Sequence, residues 1–241
     1  MNLDFHLMRP ITPFSFKQFS ISHDKCAHKV GTDGVLLGAW SNAKNAKYIL
    51  DIGTGSGLIA LMLAQRFPKS TVTGIELHKP SFLQASENAS TSPFTERLNM
   101  INGDFLHFAF AEKYDLIVSN PPFYKGNTSS GKSERDRARH EEYLPQPAFL
   151  AKAAELLSPK GRLAVILPNE EGELFIKEAQ RQGLYLIRLT RIFGSPNAPE
   201  KRWLLELSFE NLSIQENHLT IRDESGSRSE EYQILTKDFY L

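Results

Sequence analysis

The chain has 241 residues, enough for one large domain or two small ones with a substantial buried core. Basic and acidic residues both number 28, so a zero net charge excludes a chain-wide basic surface and leaves only a local patch for nucleic acid. The single cysteine, Cys26, excludes a disulfide framework and a cysteine-based zinc site. The sequence shows no signal-peptide core and no run near the ~18 apolar residues of a membrane span, so we expect a cytoplasmic location.

Strand-like and helix-like segments alternate from about residue 47 onward. In chain order they are the strand Lys47–Asp51, helix Leu58–Phe67, strand Thr71–Leu77, helix Lys79–Ser90, strands Leu98–Asn102 and Tyr114–Val118, helix Ala148–Leu157, strand Arg162–Leu167, helix Asn169–Gln182, and strands Leu184–Phe193 and Arg202–Glu210. This alternation predicts an α/β fold with a mostly parallel, seven-stranded sheet and helices on both faces. Residues 1–46 are expected to form an N-terminal extension packed on a domain of residues 47–241.

A glycine loop follows the first predicted strand and precedes the first predicted helix. Its spacing, Gly53-x-Gly55-x-Gly57, departs from the dinucleotide fingerprint, which would need a glycine at position 58. Glycines let the backbone adopt positive φ and pass close to a ligand. With Asp51 in front, the loop resembles motif I of class I S-adenosylmethionine (SAM)-dependent methyltransferases. A tight turn without a ligand and a nicotinamide dehydrogenase are the alternatives.

Polar residues stand at or just after four predicted strand ends: Asp51, Glu76, Asp104 and Asn120. Ligands of doubly wound sheets bind at the carboxyl ends of the strands, so we expect these side chains to border one SAM site. Asp51 is predicted to serve the ammonium group and Glu76 the ribose diol. Asp104 is predicted to contact the adenine amine, with Phe105 beside the ring. The histidines show no metal-ligand spacing, so no metal is expected.

The sequence Asn120-Pro121-Pro122-Phe123 directly follows the predicted strand Tyr114–Val118. The prolines fix φ and stiffen the turn. The Asn120 side chain and the Pro121 carbonyl can accept hydrogen bonds from a flat group bearing an NH2, which is an adenine, a cytosine or a carboxamide. Phe123 is predicted to stack on that group. A strand end broken by prolines and a core aromatic at position 123 are the alternatives.

Four further segments resemble the bacterial tRNA(Val) adenine N6-methyltransferase family, and the resemblance extends over nearly the whole chain. These segments are Phe16–Phe19, His23–Cys26, Lys29–Trp40 and Ser229–Leu241. The resemblance implies a class I SAM methyltransferase (Rossmann-like) fold, a tRNA partner and methylation of adenosine 37 beside the anticodon. It also implies that Thr32 and Asp33, within Lys29-Val-Gly-Thr-Asp-Gly34, line the methionine side of the cofactor. The alternative for Asp33 is the N-cap of a helix Val35–Ser41.

A basic segment follows the Asn-Pro-Pro-Phe turn. The predicted phosphate contacts are Lys125, Lys132, Arg135, Arg137 and Arg139. An ordinary solvated charged loop is the alternative, and the position of the segment beside the catalytic turn favours RNA.

The rival function is protein-glutamine N5-methylation of the release-factor type, because a glutamine carboxamide is also a flat NH2 group. Those enzymes carry a separate N-terminal helical recognition domain, whereas only about 45 residues precede the first strand here. A non-catalytic RNA-binding relative is the third possibility. The intact polar residues at the strand ends argue against it. We expect a monomer.

Overall fold

A computed structural model describes residues 12–26, 29–121 and 144–241 of the chain. The predictions for Pro122, for Phe123 and for the five basic residues from Lys125 to Arg139 therefore lie outside the described residues.

The described part of the chain contains ten strands and six α-helices. The strands are β1 Phe14–Ser15, β2 Ser20–Ile21, β3 Tyr48–Ile52, β4 Thr71–Glu76, β5 Leu98–Asn102, β6 Tyr114–Ser119, β7 Leu157–Pro168, β8 Tyr185–Phe193, β9 Glu200–Ser208 and β10 Gln215–Thr220. The helices are α1 Thr32–Trp40, α2 Leu58–Arg66, α3 Lys79–Ser90, α4 Gln146–Leu156, α5 Asn169–Arg181 and α6 Glu230–Thr236. None of the helices in these ranges is long and apolar enough to cross a bilayer.

Eight of the strands form one sheet in the order β10-β8-β9-β7-β6-β3-β4-β5, while β1 and β2 pair as a separate hairpin. Only β9 runs antiparallel to its neighbours in this sheet. The mostly parallel α/β sheet is thus confirmed, but the expected number of seven strands was wrong. The additional strand, β10, pairs in parallel with β8 at the edge. Its first four residues are exposed, so it lacks the apolar pattern that identified the other strands.

The sheet separates two hydrophobic cores. Successive strand residues enter different cores, as Ile49 and Leu50 do on β3. One core contains residues of α1, α2 and α6, and the other contains residues of α4 and α5. Helices therefore cover both faces, as predicted.

Strand β7 begins at Leu157, earlier than the predicted strand Arg162–Leu167, and it includes Pro159 and Gly161. Its pairing with β6 shifts register between Tyr114 and Leu116, so this stretch continues the strand through an irregularity.

Helix α5 packs on β9 through a glycine. A Cβ added at Gly172 would lie 2.0 Å from Cε3 of Trp203. The indole is buried, and its Nε1 donates a hydrogen bond to Glu200. The ring is therefore held in place, and only glycine allows α5 to approach the strand this closely.

We predict that Gly172→Ala lowers the free energy of unfolding by about 2–3 kcal/mol, because the indole has no room to move aside. The gain in helix propensity, about 1 kcal/mol, is too small to offset this overpacking. The measurement is urea unfolding of the purified variant. Gly194→Ala is the control, since a Cβ there would meet its nearest neighbours only at 3.9 Å. Equal stability of the two variants would contradict the packing argument.

Candidate active site

The carboxyl ends of β4, β3 and β6 lie side by side, with β5 next to β4. Residue Asp51 pairs in register with Gly74 on one side and with Val118 on the other. Glu76 ends β4 beside Asn102, the last residue of β5. Asp104 follows shortly after β5, and Asn120 follows β6 directly. The structure thus brings the four polar residues predicted from sequence to one edge of the sheet.

The three glycines of the loop all have left-handed φ values, 68° at Gly53, 59° at Gly55 and 83° at Gly57. They meet different surroundings. A Cβ at Gly53 would find nothing within 4 Å, and one at Gly55 only the Gly53 carbonyl oxygen at 3.9 Å. A Cβ at Gly57 would instead approach Leu61 at 3.2 Å and Ala85 at 3.5 Å. The first two glycines therefore border open space, and the third lets α2 pack on α3.

Asp51 is fully buried and holds this loop to α2. Its Oδ2 accepts hydrogen bonds from the Thr54 hydroxyl at 2.6 Å and the Ala60 backbone N–H at 3.1 Å. Within the described ranges its Oδ1 is buried without a hydrogen-bond partner. Burial raises the pKa of this carboxyl to about 7, opposed by those two bonds and reinforced by the Glu76 carboxylate. A cation placed at Oδ1 would favour the ionised form, so the site fits an ammonium group.

Glu76 connects the glycine loop to the end of β4. Its two carboxylate oxygens accept hydrogen bonds from the backbone N–H groups of Gly55 at 2.9 Å and His78 at 2.8 Å. The side chain is partly exposed, and each carboxylate oxygen can accept a second hydrogen bond. Glu76 therefore retains the capacity to accept from a diol.

Asn120 lies at the end of a strand that is fixed to its neighbour. The hydroxyl of the preceding residue, Ser119, donates to the Ile52 carbonyl at 2.9 Å, which ties the ends of β6 and β3 together. Pro121 is buried, whereas Asn120 is partly exposed. The amide is thus presented at the edge of the sheet from a rigid base.

Asp104 and Phe105 have local partners. Asp104 accepts hydrogen bonds from the Leu106 N–H at 2.9 Å and contacts the His107 ring nitrogen at 2.8 Å. The Phe105 ring is 5% exposed and packs against Phe110 and Phe149. Most of the ring therefore belongs to the core, and its contact with adenine stays a prediction.

The N-cap alternative for Asp33 was wrong, because α1 begins at Thr32 with Gly31 as the N-cap. Asp33 lies in the first turn and accepts a hydrogen bond from Nε of Arg202 on β9 at 2.9 Å. A Cβ at Gly34 would lie 3.1 Å from Leu58, the first residue of α2. This close approach places α1 against the first residue of α2, which directly follows the glycine loop, while the contact of Thr32 and Asp33 with the cofactor stays a prediction.

Two further residues at this edge, Gly74 and Leu77, belong to no motif in the sequence. A Cβ at Gly74 would lie 2.9 Å from Oγ1 of Thr54, the residue that bonds Asp51, so a larger side chain there would displace it. A glycine inside a β-rich segment was the available signal. Leu77, next to Glu76, is 49% exposed and offers an apolar surface beside the carboxylate.

The described residues contain no group of three or more histidine, cysteine, aspartate or glutamate side chains that could hold a metal ion.

Comparisons with solved structures agree with this architecture. A predicted O-methyltransferase from Agrobacterium tumefaciens matches with a TM-score of 0.67 at 18% identity, covering 86% of this chain and 96% of that one. The glycopeptide N-methyltransferase MtfA, complexed with SAM, matches with a TM-score of 0.55 at 14% identity, covering 77% of this chain and 96% of its own. At these identities the likeness shows the fold.

Comparisons with known sequences identify the family of this chain. The model of the methyltransferase small domain matches residues 29–179. A tRNA1(Val) (adenine(37)-N6)-methyltransferase from Enterobacter sp. (strain 638) is 46% identical, with 95% of this chain and 94% of that protein covered. Proteins of the same name from Vibrio vulnificus (strain YJ016) and Parabacteroides distasonis are 42% and 43% identical, each over 95% of this chain and over 95% and 97% of their own lengths. The chain therefore belongs to the methyltransferase small domain family and to the family of tRNA1(Val) (adenine(37)-N6)-methyltransferases.

Proposed function

We propose that this protein transfers a methyl group from SAM to the exocyclic N6 of adenosine 37 in tRNA(Val), acting as a monomer in the cytoplasm. The observation that carries the proposal is the convergence of Asp51, Glu76, Asp104 and Asn120 on one sheet edge. The names of relatives more than 40% identical over nearly the full length support the substrate.

The described residues fit SAM. The cofactor supplies an electrophilic methyl group on a sulfonium. Gly53 and Gly55 leave open space beside the loop, which gives room for the amino-acid tail of the cofactor. The unpartnered Oδ1 of Asp51 suits the ammonium, Glu76 the ribose diol and Asp104 the adenine amine. Thr32 and Asp33 are assigned to the methionine side.

Methyl transfer to an amine depends mainly on orientation. The lone pair of an exocyclic amine is delocalised into the ring, so the amine is a poor nucleophile. Hydrogen bonds from its two N–H groups to the Asn120 oxygen and the Pro121 carbonyl would aim the lone pair at the methyl group. No strong base is needed, because the nitrogen becomes acidic only as the new bond forms. Pro122 would stiffen this turn, and Phe123 would stack on the base.

The basic segment is assigned to the flanking phosphates of the RNA. The proposed contacts are Lys125, Lys132, Arg135, Arg137 and Arg139. Their support is the charge of the segment and its position in the chain after Asn120. An adenine in the anticodon loop is already unpaired, so presenting it costs less than extruding a base from a duplex.

Glutamine methylation of a release factor is the second candidate, because Asn120 and Pro121 would bind a carboxamide through the same two hydrogen bonds. The local chemistry does not separate the two substrates, and the names of the relatives favour tRNA.

We predict that the purified protein with SAM converts unmodified tRNA(Val) into a product with N6-methyladenosine at position 37. Release factor is offered in a parallel reaction, and both products are digested and analysed by mass spectrometry. Methylglutamine in the release factor without methyladenosine in the tRNA would overturn the proposal.

A second prediction concerns Glu76. Its replacement by alanine should weaken SAM binding by roughly 1.5–3 kcal/mol, since a charge-assisted hydrogen bond to the ribose is lost. Glu76→Gln keeps an acceptor oxygen and should fall between this variant and wild type. Glu96→Ala, at an exposed site, is the control. Affinity is measured by calorimetry on folded protein, and an unchanged affinity of Glu76→Ala would remove the assignment.

The third prediction separates chemistry from folding at Asn120. Asn120→Ala should reduce the single-turnover methylation rate by at least about 100-fold, because the amine is no longer aimed. Its melting temperature should stay near wild type, since the side chain is partly exposed. Asn217→Ala, on the exposed edge strand β10, is the matched control. Near-wild-type turnover of Asn120→Ala would exclude the residue from catalysis.

A further inference from the structure

A short segment of the N-terminal extension, Ser22–Cys26, lies along helix α3, and we call it the strap. It follows Ile21, which is fully buried and anchors its start. Side chains of α3 bond to the strap backbone at two places, Asn88 at Ser22 and Gln84 at Lys25. In these contacts the strap backbone is held by helix side chains and not by pairing with a strand.

Asn88 joins the strap to the glycine loop. It is 4% exposed, and its Oδ1 accepts from the Ser22 N–H at 3.0 Å. Its Nδ2 donates to the Ser22 carbonyl and to the Ser56 carbonyl, both at 2.8 Å. Ser56 lies between the second and third loop glycines. One buried amide thus fixes the spacing between the strap and the loop.

Gln84 holds the strap at Lys25. Unlike Asn88, it forms no hydrogen bond with the glycine loop in the described part of the chain. It is 1% exposed; its Oε1 accepts from the Lys25 N–H at 3.2 Å, and its Nε2 donates to Glu87 at 3.1 Å. The Lys25 ammonium also pairs with Glu87, but both side chains are about half exposed, so this ion pair adds little.

The strap ends near the first turn of α3, where Cys26 meets Ser81. From Asn88 to Ser81, α3 rises about 10 Å, a length that four extended residues can span. Burial raises the pKa of the Cys26 thiol to about 11, opposed by a hydrogen bond with Ser81 and reinforced by the Glu76 carboxylate. The first turn of α3 leads back to the carboxylate, because Ser81 bonds the His78 ring and the His78 N–H donates to Glu76. The strap therefore runs from the glycine loop toward the start of α3, which follows Glu76 in the chain.

We propose that the strap forms a wall of the cofactor site and that Gln84 and Asn88 are positioning residues that hold it there. The inference rests on the proposed SAM site. The two amides act through the backbone of the strap and, for Asn88, of the loop. Releasing the strap should weaken the binding of SAM and leave the binding of RNA and the chemical step unchanged.

The test compares Gln84→Leu, Asn88→Ala and the control Ser86→Ala with wild type. Ser86 lies on the same helix, but among the described residues its hydroxyl bonds only within the helix, to the Phe82 carbonyl. For Gln84→Leu and Asn88→Ala we expect the SAM Kd and the KM for SAM to rise about tenfold, with kcat and the KM for tRNA unchanged. Gln84→Leu is the sharper variant, because the bonds of Gln84 reach the strap and not the loop.

Cys26, the only cysteine of the chain, reports on the strap directly. Its alkylation by iodoacetamide should be faster in both variants than in wild type or Ser86→Ala, and SAM should slow it in wild type. Variants that react faster at Cys26 yet bind SAM as wild type does would overturn the inference. So would a wild-type protein that binds SAM without protecting Cys26, a result that needs no variant to fold. Failure of wild type to bind SAM would instead overturn the proposed function.

Discussion

The buried carboxylate of Asp51 is the interaction on which the candidate site depends. It sits at the end of β3, fully shielded from water, and ties the loop at Thr54 to the first turns of α2 at Ala60. Burying a carboxylate costs free energy unless its oxygens are bonded, and here one oxygen is bonded twice while the other has no partner in the described residues. The cost of burial is therefore concentrated at Oδ1, where a cationic ligand would relieve it, and such perturbed groups are common at binding sites.

Neighbouring elements keep this carboxylate in place through close approach. Gly74 on β4 leaves the volume that Thr54 occupies, and Gly57 lets α2 approach α3 at Ala85. Glu76 then bonds the backbone of the loop from the next strand. The loop is therefore braced from β3, β4 and α3, so its open side is held in one shape before a ligand arrives. Such preorganisation lowers the free energy needed to order the site on binding.

The N-terminal extension contributes to the same edge from outside the sheet. Helix α1 reaches the start of α2 through Gly34, and Asp33 is tied to Arg202 on β9. The strap lies against α3. The glycine loop thus has neighbours from a segment that precedes the first strand of the sheet by more than twenty residues, which explains why residues distant in sequence meet at one site.

The sequence by itself determined the order of the elements and the residues at the strand ends. Apolar periodicity located β3 to β9 closely, except for the start of β7. The positions of Asp51, Glu76 and Asn120 followed from the carboxyl ends of parallel strands. These features are local, because they depend on side-chain period and on turn chemistry.

Only the tertiary structure decided the features that depend on contacts between distant segments. Strand β10 is mostly exposed and has no apolar pattern that would identify it in the sequence. It is a strand because its backbone pairs with β8. Asp33 and Arg202, which pair, are 169 positions apart in the chain. The bonds of Asn88 reach Ser22 and Ser56, which are 66 and 32 positions away. No local pattern in the sequence encodes which of several asparagines or arginines will meet such a partner, since the folding of the intervening chain brings them together.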